Sequence, residues 1–197
     1  MFVGMKTEAF LELIGGHLNS LKTAHVHVIT PNEVGGDYSD GPVPETPEGL
    51  TITVHNGKIK VPDTAFLPAL VQTEPNSLGR VMAMMEVESK VSDQAMRERT
   101  KNITLPDEEG SFLVMYAGLR AIHSCVEFIT ETKEKSPNTK IFAMICDCNQ
   151  STKEGLFAPL IETGTVEALC ISPHCGGYVE TEEVIRHLLK GWPLRQL

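Results

Sequence analysis

Long apolar runs are absent from this sequence. The longest, residues 112–117 followed by Gly118 and Leu119, is far shorter than the ~20 residues that a membrane-spanning helix needs. The first ten residues also lack a basic start followed by an apolar segment, which a secretory signal would have. We therefore expect a cytoplasmic protein with no membrane partner.

Basic residues are scarce. Lysine and arginine number 17 against 26 acidic residues, which gives a formal net charge of -9. An acidic surface repels phosphate backbones, and no local basic patch offsets this repulsion. Nucleic acid is thus disfavoured as a primary partner.

Cysteines are few, and all five follow residue 124. The count is odd, and no signal peptide points to an oxidising compartment, so a disulfide framework is disfavoured. Free, metal-bound or reactive thiols are the remaining possibilities.

The second half of the chain alternates strand and helix patterns. Short apolar runs at 112–117, 141–146 and 166–171 predict buried strands, and helical spacing predicts a helix over about 119–135. A capping box at Ser151 and Glu154 predicts the next helix, and Thr181 begins the last one. This β-α-β-α-β-α order predicts an α/β fold, a three-layer Rossmann-like sandwich with a mainly parallel sheet over residues 106–197.

The first half, residues 1–105, predicts an α+β portion of the same single domain, which would span residues 1–197. Residues 24–29 alternate like a strand, and Asn56 with Gly57 predicts a β-hairpin over residues 50–61. The acidic, proline- and glycine-rich residues 31–49 are interpreted as a mobile loop or lid. A helix over 77–100 carries methionines that would fill the core or contact another copy in a homo-oligomer; they are Met82, Met84, Met85 and Met96.

The carboxyl ends of the predicted parallel strands are the expected binding edge, because loops and helix amino termini gather there. Cys146 and Cys148 would project to one face with Cα atoms about 6.6 Å apart, and thiolates bind zinc at about 2.3 Å. The next strand and its loop add Cys170 and Cys175. These four cysteines are the predicted ligands of a metal, with zinc as the cofactor they suit. Inert core packing is the alternative for Cys146 and Cys170.

A reactive thiol is the second possibility at this edge. Cys175 follows His174 and precedes two glycines near the start of the last helix, so imidazolium and backbone donors could stabilise its thiolate. Cys175 and His174 are accordingly the predicted catalytic residues. Small-molecule contacts are predicted for Asp147, Asn149, Ser151, Gly176 and Gly177. A glycine turn that merely leads into the helix is the alternative.

One further pattern is the pair His25 and His27, which share a face of their predicted strand. Histidines spaced in this way can bind metal, but no third ligand follows at a diagnostic spacing, so we interpret them as polar residues on a solvated strand face.

The function predicted is binding of a small molecule or metal at the carboxyl edge of the sheet, with thiol-dependent catalysis as an extension. The alternative is a non-catalytic interaction or assembly protein that uses the methionine-rich helix and the acidic loop.

Overall fold

The computed structural model describes residues 4–29, 41–55, 96–117, 121–146, 150–172 and 181–192, together with residues 79, 90, 93 and 94. In chain order the elements are α1 (Thr7–Asn19), β1 (Ala24–Ile29), β2 (Gly41–Pro42), β3 (Leu50–His55), β4 (Ser111–Ala117), α2 (Ile122–Lys135), β5 (Lys140–Cys146), α3 (Gln150–Glu162), β6 (Ala168–Ser172) and α4 (Thr181–Gly191). Residues 96–100 are also helical.

The strands form one six-stranded sheet in the order β2-β3-β1-β4-β5-β6. All neighbouring strands run parallel except β2, which is antiparallel to β3 at one edge. At the opposite edge the N–H of Met5 donates to the carbonyl of Leu169, and the carbonyl of Met5 accepts from the N–H of Ile171. The α/β class predicted from the sequence is confirmed.

Apolar side chains cover both faces of the sheet. On one face α1 and α4 pack over the even-numbered residues of the central strands, around Phe10, Phe112 and Phe142. On the other face α2, α3 and the 96–105 segment pack over the odd-numbered residues, around Met115, Ile129 and Phe157. Parallel strands that are buried on both faces read as unbroken apolar runs, and β4 is buried at every position.

The first half of the chain belongs to this same sheet. Strands β1 and β3, which lie in the predicted α+β portion, are parallel neighbours, and β1 also pairs with β4 from the second half. The two predicted portions therefore share one sheet.

The hairpin predicted over residues 50–61 is contradicted by the strand pairings. Strand β3 has β1 on one side and β2 on the other, and Val43 extends the β2 side by donating to the carbonyl of Ile52. A second hairpin arm would need the edge that β2 occupies. The turn at Asn56 and Gly57, and the arm after it, lie outside the described residues.

Two smaller corrections concern residues 41–49 and Ser151. Part of the predicted mobile loop is an edge strand, because Gly41–Pro42 pairs with β3 and Val43 is buried. Helix α3 begins at Gln150, so Ser151 occupies its first turn and not the cap position that the capping box implied.

Candidate functional site

The carboxyl ends of β4, β5 and β6 lie at one edge of the sheet. These strands are parallel neighbours, and the register places Cys146 opposite Ser172, the last residues of β5 and β6. The chain leaves both strands at this edge, into residues 147–149 and 173–180. The prediction that the strands before the two cysteine-bearing segments are parallel neighbours is confirmed.

Helices α2 and α3 begin soon after β4 and β5, so their amino termini lie at the same edge. A helix amino terminus presents unpaired N–H groups and a partial positive charge. At α2 one of these N–H groups, that of Ser124, already has a protein partner. Asp93 Oδ1 accepts from the Ser124 N–H at 3.1 Å and from the Ser124 hydroxyl at 2.6 Å, so an acidic side chain caps this helix.

Most of the predicted site residues lie outside the described residues; they are Asp147, Cys148, Asn149, His174, Cys175, Gly176 and Gly177. Of the others, Cys146 ends β5, Ser151 lies in the first turn of α3, and Cys170 lies within β6. The structure thus brings the backbone of Cys146 and that of β6 together at one edge.

Cys170 is packed in the core below that edge. It is fully buried on the sheet face that α1 covers, and its thiol donates to Thr7 Oγ1 at 3.6 Å. Burial raises the pKa of the Cys170 thiol, and the contact with Thr7 offsets this only in part. A buried thiol with a raised pKa is a poor nucleophile. This environment favours the core-packing interpretation of Cys170 over its interpretation as a metal ligand.

The strand order defines a second location on the same edge. Chain order runs outward from β1 to β3 in one direction and from β4 to β6 in the other. Open parallel sheets bind ligands in the crevice where the order reverses, beyond the carboxyl ends of the strands. Here that crevice lies at the ends of β1 and β4, next to the end of β3.

Two histidines approach each other beside this crevice. His27 Nδ1 of β1 lies 3.0 Å from Nε2 of His55, the last residue of β3. Their ring centroids are 5.3 Å apart, and the ring planes differ by 9°. The register places His27 opposite Thr53 and His55 opposite Ile29, so the two imidazoles meet diagonally across neighbouring strands.

The environment of this histidine pair keeps His27 neutral. Burial lowers the pKa of His27 to about 4, with smaller contributions from His55 and His25. His25 itself is half exposed, and its Nδ1 lies 3.2 Å from Oε1 of Glu108. These histidines and Thr51 and Thr53 make a polar strip on this sheet face, beside the apolar residues of β4 and β5.

The sequence shows His25 and His27 at alternate positions, but it does not show that His55 is the partner of His27. His55 was placed in a hairpin arm, which hid the parallel pairing of β3 with β1. One signal could have found it: both strands alternate strictly, and if they are paired in parallel their polar residues, including His27 and His55, fall on one face.

A cavity lies between the 96–105 segment and α2. It has a volume of about 380 Å³, and Thr100, Phe128, Thr132 and Ser136 are among its lining residues. Four of the charged side chains that line it form two ion pairs, Arg97 with Glu127 and Lys135 with Glu131, each at 2.9 Å.

Comparisons with known proteins give no family for this chain: no family model, no curated protein and no solved structure matches it. Within the described ranges, no group of three or more histidine, cysteine or acidic side chains could hold a metal ion. None of the helices in those ranges is long and apolar enough to cross a membrane.

Proposed function

We propose that the protein binds a small molecule or a metal ion at the carboxyl edge of its sheet, with the thiols that follow β5 and β6 as ligands or as a nucleophile. One observation carries the proposal: β5 and β6 are parallel neighbours. Because of this arrangement, the two sequence segments that contain Cys148 and Cys175 leave the sheet at the same edge.

The roles proposed for individual residues follow from their chemistry. Cys146, Cys148 and Cys175 would be soft ligands suited to zinc. If no metal binds, Cys175 would be the nucleophile and His174 its base. The proposal includes a Rossmann-like sandwich. In support of a ligand at this edge, the order of the parallel strands reverses between β1 and β4.

The test combines metal analysis of protein purified without added chelator with thiol titration in the folded state. We expect a stoichiometric metal ion, or one thiol that reacts unusually fast. Cys148→Ser and Cys175→Ser should each reduce that metal content or reactivity and leave thermal stability nearly unchanged.

The matched control is Cys125→Ala, because Cys125 is fully buried on α2 and should react slowly. Absence of metal together with uniformly slow thiols would refute the proposal and favour the alternative, an interaction or assembly protein. Of the four methionines on which that alternative depends, Met96 is fully buried in the core, and Met82, Met84 and Met85 lie outside the described residues.

A further inference from the structure

The cavity between the 96–105 segment and α2 provides a second place for a ligand. Its volume of about 380 Å³ lies within the range of sites that hold small molecules, roughly 300–1,000 Å³. Among the described residues that line it, none is a cysteine. A molecule bound here would therefore be independent of the thiols invoked above, and the cavity walls would set its chemistry.

Two hydroxyl groups in the cavity wall have already used their protons. Thr100 donates to the carbonyl of Met96 and Ser136 donates to the carbonyl of Leu105, each at 2.9 Å. Both residues are buried. A hydroxyl has one proton and two lone pairs, so each oxygen can still accept a hydrogen bond. These two groups therefore suit a ligand that carries N–H donors.

Two helices end at this cavity. Helix α2 ends at Lys135, and the helical residues 96–100 end at Thr100; residues from the last turn of each helix line the cavity. The carboxyl end of a helix carries unpaired carbonyl groups and a partial negative charge. Glu127 and Glu131 add two carboxylates to the same lining. These groups favour a ligand with a positive charge.

The cations among the described lining residues are each held in an ion pair. The pairs are Arg97 with Glu127, Lys135 with Glu131 and Lys101 with Glu98. All six side chains are more than half exposed, and ion pairs so exposed contribute little to stability because water and salt screen them. A ligand ammonium group can therefore share Glu127 or Glu131 with its present partner at little cost.

We propose that this cavity binds a small primary amine with an apolar body. The ammonium group has three N–H donors, and it would donate to the hydroxyl oxygens of Thr100 and Ser136 near the two helix ends. The apolar body would contact Ile103, Leu105 and Phe128, which line the same cavity and belong to the apolar cluster on this face of the sheet. A carboxylate of the same size would meet acceptor oxygens and negative helix ends, so it is disfavoured.

The test is calorimetric titration of the folded protein near neutral pH with two probes that share a phenyl body. Phenethylamine is protonated at this pH, and 3-phenylpropionate is of similar size with the opposite charge. We expect one phenethylamine per chain, bound at least about tenfold more tightly than 3-phenylpropionate.

A pair of matched variants tests the role of the Thr100 hydroxyl. Thr100→Val keeps the shape of the side chain and removes the oxygen, so it should weaken phenethylamine binding at least about tenfold. Thr130→Val is the control. Thr130 makes the same kind of hydrogen bond, to the carbonyl of Val126 at 2.9 Å, but it lies outside the cavity lining. This variant should leave the affinity unchanged.

A second measurement uses the wild-type protein, so it does not depend on the folding of the variants. Phenethylamine should shift the backbone amide NMR signals of Ile103, Thr104 and Phe128 and spare those of strand β1. Absence of saturable binding, equal affinity for the two probes, equal affinity in wild type and Thr100→Val, or shifts that spare the cavity residues would each overturn the proposal.

Discussion

The stability of the fold should fall as the pH drops below neutral, because His27 resists protonation. Its pKa is about 4 in the folded protein and about 6.5 in an unfolded chain. The unfolded state therefore binds more protons between these values, so stability is complete above pH 6.5 and is lost as the pH falls toward 4.

The magnitude follows from this difference in pKa. The full difference corresponds to about 3 kcal/mol once the pH is below both values. The ring is partly exposed and water screens its charge, so we expect about 1–2 kcal/mol between pH 7 and pH 5. The neighbours that also lower the pKa of His27 are His55 and His25.

The assay is urea unfolding of the wild-type protein and of His27→Gln at a series of pH values. Groups far from the substitution titrate equally in both proteins, so they cancel in the difference between the two curves. Between pH 7 and pH 5 the free energy of unfolding should fall by about 1–2 kcal/mol more in the wild type than in His27→Gln. His123→Gln, at an exposed position on α2, should show the same fall as the wild type. Equal pH dependence in wild type and His27→Gln would refute the assignment of a buried, neutral His27.

Other predictions concern two contacts, that between helices α1 and α4 and that between helix α2 and Asp93. A Cβ atom on Gly191 of α4 would lie 2.9 Å from Cα of Gly15 in α1, so Gly191→Ala should lower the free energy of unfolding by about 1–3 kcal/mol. Gly16→Ala is the control, since a Cβ there meets nothing within 4 Å, and it should raise that free energy by about 0.5–1 kcal/mol. Ser124→Ala removes the hydroxyl that donates to Asp93 and should cost about 1–2 kcal/mol. Chemical denaturation checks all three, and a neutral Gly191→Ala or Ser124→Ala would contradict the corresponding contact.

The second half of the fold was accessible from the sequence because its strands are buried on both faces. Residues 112–117 and 141–146 are unbroken apolar runs, and they match β4 and β5 within one residue. The amphipathic pattern that ends before Pro137 likewise matches α2, which ends at Lys135. The local sequence pattern is sufficient to predict a strand where both faces of that strand are buried.

The first half was harder because its pairing is not local. The Asn56–Gly57 signal favours a hairpin with the adjacent segment, but β3 instead lies between β1 and β2. Partner choice depends on burial across the whole sheet, so tertiary contacts overrode a strong local preference. The short edge strand β2 has too few residues for any periodic pattern.

The candidate site likewise has one part that the sequence predicts and one part that it does not. The shared edge of the two cysteine-bearing segments follows from chain order and parallel pairing, and the sequence was sufficient to predict it. The pair formed by His27 and His55 depends on the exact register between β1 and β3, and a shift of one residue would place them on opposite faces. No local pattern contains that register.

Native mass spectrometry of protein purified without chelator tests the central claim, a ligand at the carboxyl edge of the sheet, most directly. The wild-type protein should carry an added mass that is lost on acid unfolding, and Cys148→Ser or Cys175→Ser should greatly reduce it. A native mass equal to that of the bare chain, with every thiol slow to react in the folded state, would contradict the claim.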